Sequence, residues 1–142
     1  MSRGLRNRNP GNIRRNPQGQ KGVCYQGEIT PSSDPEFRQF VAIEWGYRAM
    51  FVLLYTYEKR YGLRTARGLI SRWAPPTENH TEAYIQAVCR SAGITPDQPL
   101  STRNPRVMIP LVEAMSRVEN GSPAIREEVE AGWRLFFASM ED

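Results

Sequence analysis

From residue 37 onward the apolar positions recur at intervals of three and four, the mark of helices that bury one face. Tyr47, Met50, Phe51, Leu54 and Glu58 fall together, predicting a helix from about Ile43 to Tyr61 that Gly62 ends. Thr65 is placed to cap a short helix running through Arg72, closed by Trp73-Ala74-Pro75-Pro76. Asn79, with Glu82 three residues later, has the spacing of a capping arrangement. The helix after it sets Tyr84, Ile85, Val88 and Cys89 on one side, and Gly93 stops it. A polar loop over residues 94–104 leads to a helix over 105–119 with Met108, Leu111, Val112, Met115 and Val118 at helical spacing. Asn120-Gly121 ends that helix and Ser122-Pro123 begins the last one, 123–140. There Ile125, Val129, Trp133, Phe136, Phe137 and Met140 form a stripe opposite Glu127, Glu128 and Glu130.

Residues 1–36 behave differently. They are rich in Gly, Pro, Asn and Arg, with turns expected at 9–12 (NPGN) and 16–19 (NPQG) and a short strand within Val23–Ile29. Disorder and packing both fit this composition, and Ile13, Val23 and Tyr25 favour packing onto the rest. The expectation is a mainly α protein: one domain over 1–142, with about five helices, little β structure and an irregular basic segment at 1–36. No internal repeat and no heptad pattern is present.

Composition narrows the function classes. A chain of 142 residues with 39% hydrophobic content can bury a real core. No apolar run is long enough to span a bilayer, so no transmembrane segment is expected. The first fifteen residues, MSRGLRNRNPGNIRR, lack an apolar h-region, so no secretory signal is expected either. Cys24 and Cys89 make neither a disulfide framework nor a metal motif, and the single His80 leaves no multi-His zinc site. One histidine also argues against Ser-His-Asp or Cys-His chemistry. Neither metal nor organic cofactor is implied, and any catalysis falls to carboxylates. The net charge is +4, and Arg3, Arg6, Arg8, Arg14, Arg15 and Lys21 crowd the first 21 residues, which hold no acid. Such a patch suits an anionic partner, such as a cell-wall polymer, a nucleic acid or the acidic face of another protein. A solvated arm with no dedicated partner has the same composition.

Among the carboxylates, Glu119 stands out. At roughly 100° per residue it falls close to Val112 and Met115, inside the apolar stripe, while Glu113 points the other way. Burial and the negative end of the helix dipole both raise the pKa of a carboxyl group there, which is how a general acid is prepared. The plain alternative is a helix-end Glu that curls out to water.

Other residues admit two readings each. Glu78, displayed on a loop before the next helix, is a candidate second acid, or a helix-dipole residue whose lowered pKa would make it a poor acid. Asn79 and Tyr84 are candidates to line a sugar cleft, the amide reading N-acetyl groups and the phenol bonding to the acid. Capping and core packing explain them equally. Trp45 and Trp73 offer flat faces on which sugars stack, or are core residues. Glu44 suits the helix dipole, Asp34 a turn or cap, and Arg48 an internal salt bridge.

Five stretches together carry a family resemblance: RGLRNRNPGNIRR (3–15), DPEFRQF (34–40), WGYRAMFVLLYTY (45–57), TARGLISRWAPPTENHTEAYIQAV (65–88) and EAMSRVENG (113–121). In this order they resemble a family of small phage and prophage proteins described as virion or structural proteins, with a lysozyme-like character ascribed to the group. The resemblance covers almost the whole chain, and RWAPPTEN followed by T..YI is its most specific part. RVENG at 117–121 is similar to the Glu-Ser-Gly with which lytic transglycosylases end the core helix bearing their acid. Asn79 with Tyr84 is similar to the Asn and Tyr those enzymes carry on a later helix. The two elements come in the opposite order here, which implies a circularly permuted lysozyme core.

The resemblance implies a phage-type enzyme that cleaves the peptidoglycan glycan strand as a muramidase or lytic transglycosylase. Glu119 would be its general acid/base, with Asn79, Tyr84, Trp73 and Asn120 binding substrate. Other virion proteins are implied partners, and the expected location is the virion or the host cytoplasm before lysis. The alternative is a non-catalytic virion structural or assembly protein that retains the fold, for which the basic arm speaks. A nucleic-acid-binding role ranks last, because no recognised DNA-binding motif accompanies the basic residues.

Overall fold

The computed structural model describes residues 1–15, 24–77 and 79–140. Lys21 of the basic cluster, the 16–19 turn, Val23 and Glu78 lie outside the described residues. The protein is mainly helical, with α1 (Arg3–Arg6), α2 (Ile43–Tyr61), α3 (Ala66–Trp73), α4 (Thr81–Ala92), α5 (Pro105–Asn120) and α6 (Arg126–Met140). Two short strands, β1 (Glu28–Ile29) and β2 (Gln39–Phe40), pair antiparallel with Glu28 opposite Phe40. No helix among the described residues is long and apolar enough to cross a membrane.

α2 is the central helix, packed along α6. Tyr47, Met50, Phe51 and Leu54 are fully buried, and Phe51 meets the Trp133 ring edge-on at 5.0 Å and Phe136 at 6.0 Å. The helices approach closely because Gly132 has no side chain: a Cβ there would collide with Tyr47 and the α2 backbone. α5 contributes Met108, Leu111, Val112 and Met115, all fully buried, and rests against α4, whose Ile85 and Val88 are buried. Arg126 grips Glu113 through two bonds of 2.8 Å, tying the start of α6 to α5.

Most helix ends fall where turn chemistry predicts them. Thr65 caps α3 by accepting from the Gly68 N–H, and Gly62, Gly93 and Gly121 close α2, α4 and α5 in the left-handed conformation. The predicted Asn79 cap does not form. α4 starts at Thr81 after His80, which makes no side-chain cap bond. Asn79 instead donates to the Pro75 carbonyl, and Glu82 pairs with Arg67 at 2.7 Å, so neither end of the capping arrangement is free. The last helix begins at Arg126 rather than 123, and Ile125 is exposed rather than part of the apolar stripe.

The predicted irregular arm contains α1, a turn of helix missed in the sequence because it has no apolar period. Ser2 caps it. Its neighbours are knitted to residues 34–40 by backbone bonds from Arg38 to Ile13, Phe40 to Asn7 and Arg15 to Glu36. Asp34, expected at a turn or cap, accepts from Arg3 at 2.7 and 2.8 Å, from Asn7, and from the Glu36 and Phe37 amides. The Arg3 hydrogen bonds, above all, hold its carboxyl far below the usual carboxylate range. Fully buried Asn9 donates to the Ile13 and Arg38 carbonyls and accepts from the Ile13 amide. This polar knot fixes the turn that follows it.

Candidate functional site

The apolar face of α5 commits it to the core, and Glu119 continues that face in its last turn, four residues after Met115 and seven after Val112. At the helix end the packing opens, and the partly buried carboxyl group looks into a groove of about 1480 Å³. Both carboxyl oxygens have a donor. Asn12 Nδ2 gives to Oε1 at 2.9 Å and the Tyr84 hydroxyl gives to Oε2 at 3.0 Å.

Asn12 comes from the 9–12 turn and sits at φ +50°, a left-handed conformation that Asn tolerates better than most residues. Two features hold the turn against α5. Gly4 lies so close to the Asn12 and Asn120 amides that a Cβ would collide with both. Asn120 accepts from Ser2 Oγ at 2.7 Å and donates to the Pro10 and Ser116 carbonyls at 2.8 and 2.9 Å.

Burial pushes the Glu119 pKa above its ordinary value. Hydrogen bonding from Asn12 and Tyr84 opposes the shift, and the Trp73 indole and the Arg14 charge act the same way. The Tyr84 phenol is driven well above its own ordinary value, first by burial and then by the neighbouring carboxylate. It therefore stays protonated and remains a donor. The group that results is a sheltered carboxyl that holds a proton to higher pH than an exposed one, with two donors ready to receive its anion.

The remaining predicted residues divide. Trp73 and Asn79 line the same groove as Glu119. Tyr84 is 7% exposed and is not among the groove-lining residues; its hydroxyl bonds to the Glu119 carboxyl group. Asn120 is turned toward the N-terminal segment and does not line the groove. Trp45 packs against the core. Sequence reasoning missed Asn12 as a partner of Glu119. The only signal was the second Asn of Asn-Pro-Gly-Asn, a turn residue with no visible link to a position 107 residues away.

Arg48 also departs from expectation. It is 7% exposed, and among the described residues it makes no salt bridge and its Nε has no hydrogen-bond partner. The Trp45 ring lies 6.0 Å from its guanidinium carbon. Arg48 lines the groove with Arg14, Arg38, Lys59, Arg60 and Arg72, and Glu119 is the only carboxylate among the described lining residues.

No family model matches the chain. It is, however, similar to a phage protein: 39% of residues are identical over 137 positions, which span 96% of this chain and 82% of the relative. That relative is Protein P5 of Pseudoalteromonas phage PM2, and the chain belongs to its family.

Proposed function

We propose that this phage protein is a single lysozyme-like domain that cleaves the glycan strand of peptidoglycan, with Glu119 as general acid and base. The supporting observation is a carboxyl group sheltered in a groove, held by Asn12 and Tyr84, with its pKa raised by burial. Protonated Glu119 gives its proton to the glycosidic oxygen as the C1–O bond breaks, and C1 takes on oxocarbenium character. The carboxylate left behind is received by the Asn12 amide and the Tyr84 hydroxyl. It then removes a proton from the oxygen that attacks C1, either water or a hydroxyl of the same sugar.

A lone carboxylate among the described groove residues favours attack by the sugar's own hydroxyl, which needs no second acid. Glu78 remains the candidate for that second role. Trp73 offers an indole face for a sugar ring, and Asn79 an amide for an N-acetyl group. Peptidoglycan is then the partner, in a setting of virion association.

The test is release of soluble muropeptides from purified peptidoglycan, resolved by mass spectrometry. Wild type is expected to release them, as anhydro products if the sugar hydroxyl attacks, and Glu119→Gln to lose at least about a hundredfold in rate, the low end for a positioned acid. Equal rates would remove Glu119 from the chemistry. Release by neither protein would leave the assembly role.

A further inference from the structure

An arginine buried without an anion is costly to folding, because its charge has left water and nothing in the protein replaces the lost interactions. Arg48 is in this position: 7% exposed, its Nε shielded and unpaired, and no carboxylate in ion-pair range among the described residues. Burial accordingly lowers its pKa, though an arginine remains charged. It is not sealed in the core, since it lines the groove that also holds Glu119.

Its neighbours on α2 extend the pattern. Arg48, Val52, Thr56 and Lys59 all line the groove at helical spacing, so one stripe of α2 faces it with a cation at each end. Eleven residues at 1.5 Å rise put these cations about 16 Å apart along the helix. Three other lining cations are engaged already: Arg38 with Glu28 at 2.6 Å, Arg14 with Glu36, and Arg72 over the Tyr61 ring. Arg48 has the Trp45 ring, 6.0 Å from its guanidinium carbon, but no anion among the described residues.

We propose that Arg48, aided by Lys59, binds carboxylates of the peptides that branch from the glycan strand, so that the protein acts on peptide-bearing strands in preference to bare glycan. This rests on the glycan-cleaving reading above for the source of the ligand. The chemistry follows from the side chain. A planar guanidinium donates two parallel bonds to a carboxylate, and partial burial of the cation strengthens them. Peptidoglycan stem peptides carry free carboxylates at intervals, and the lysine offers a second, more exposed point charge.

The experiment uses the full chain and calorimetric titration with four probes: a free stem pentapeptide, the same peptide with its carboxylates amidated, a peptide-free glycan oligomer and a short DNA duplex. Wild type is expected to bind the free peptide at least about tenfold more tightly than the amidated one, the scale of a pair of charge-assisted bonds. Arg48→Met is expected to lose that tenfold, to bind the peptide-free glycan unchanged, and to melt at the same or a higher temperature. A purely structural arginine would give the opposite melting result. Lys59→Gln, on the exposed end of the stripe, is expected to lose about threefold and serves if Arg48→Met does not fold.

Equal binding of free and amidated peptide by wild type overturns the proposal without any variant. Glycan binding with no peptide binding overturns it and leaves the cleavage reading intact. Peptide binding without glycan binding supports it and counts against that reading. A DNA duplex held through Arg48 in place of the peptide also overturns it.

Discussion

Of the described residues in 1–40, only Ile13 and Phe40 enter the buried apolar core, whereas α2 alone places Tyr47, Ala49, Met50, Phe51 and Leu54 there. The helical body is held by apolar area and interlocking rings. The N-terminal segment is held by Asn, Asp and Arg side chains that bond to groups far along the chain, as Asn9 does to the Arg38 carbonyl and the Arg3 guanidinium to Asp34. The candidate site needs both. Apolar packing of α5 shelters Glu119, and the polar knot of the N-terminal segment delivers Asn12 to it. The body thus sets how buried the acid is, and the segment sets which donor meets its charge.

This contrast is sharpest where each region is damaged separately. Phe51→Ala removes a fully buried ring that touches Trp133 and Phe136, and is expected to cost about 3–5 kcal/mol of stability in chemical denaturation. The fraction that remains folded should keep a normal Glu119. Asn9→Ala is expected to cost less, about 2 kcal/mol, by removing the Asn9 bonds to the buried Ile13 amide and Arg38 carbonyl. It should nevertheless depress muropeptide release more per folded molecule, because the turn carrying Asn12 loosens. If Phe51→Ala lowers the specific rate more than Asn9→Ala, the division of labour is wrong.

The same contrast explains what could be read from the sequence. α2 was legible over Ile43–Tyr61, and so were the glycine stops at 62, 93 and 121, because helices that bury one face impose a period and end on residues that tolerate a positive φ. The placement of Glu119 followed from the same period. α1, the Asn9 knot and the Asn12 contact were not legible, because side-chain bonds to groups distant in sequence leave no periodic trace. The Asn79–Glu82 capping pattern misled for a related reason: Arg67 and the Pro75 carbonyl, partners from outside the local segment, took both side chains. Arg48 was read as half of a salt bridge from its place near the first turn of the long helix, and spacing alone does not show that no carboxylate among the described residues reaches it.

The central claim is that folding prepares Glu119 as an acid. Because burial raises its pKa in the folded state, the fold binds this proton more tightly than the unfolded chain does. The stabilisation from that proton is fully present below the ordinary carboxylate pKa, near 4.3, and is lost as pH rises through the raised folded value. The direct measurement is a pH titration of the Glu119 side-chain carboxyl by carbon NMR, assigned by its absence in Glu119→Gln and repeated in Tyr84→Phe. The expected result is a midpoint above the ordinary value in wild type and higher again in Tyr84→Phe, which loses a bond to the charged form. A midpoint at or below the ordinary value, unmoved by the loss of the Tyr84 hydroxyl, would contradict the account.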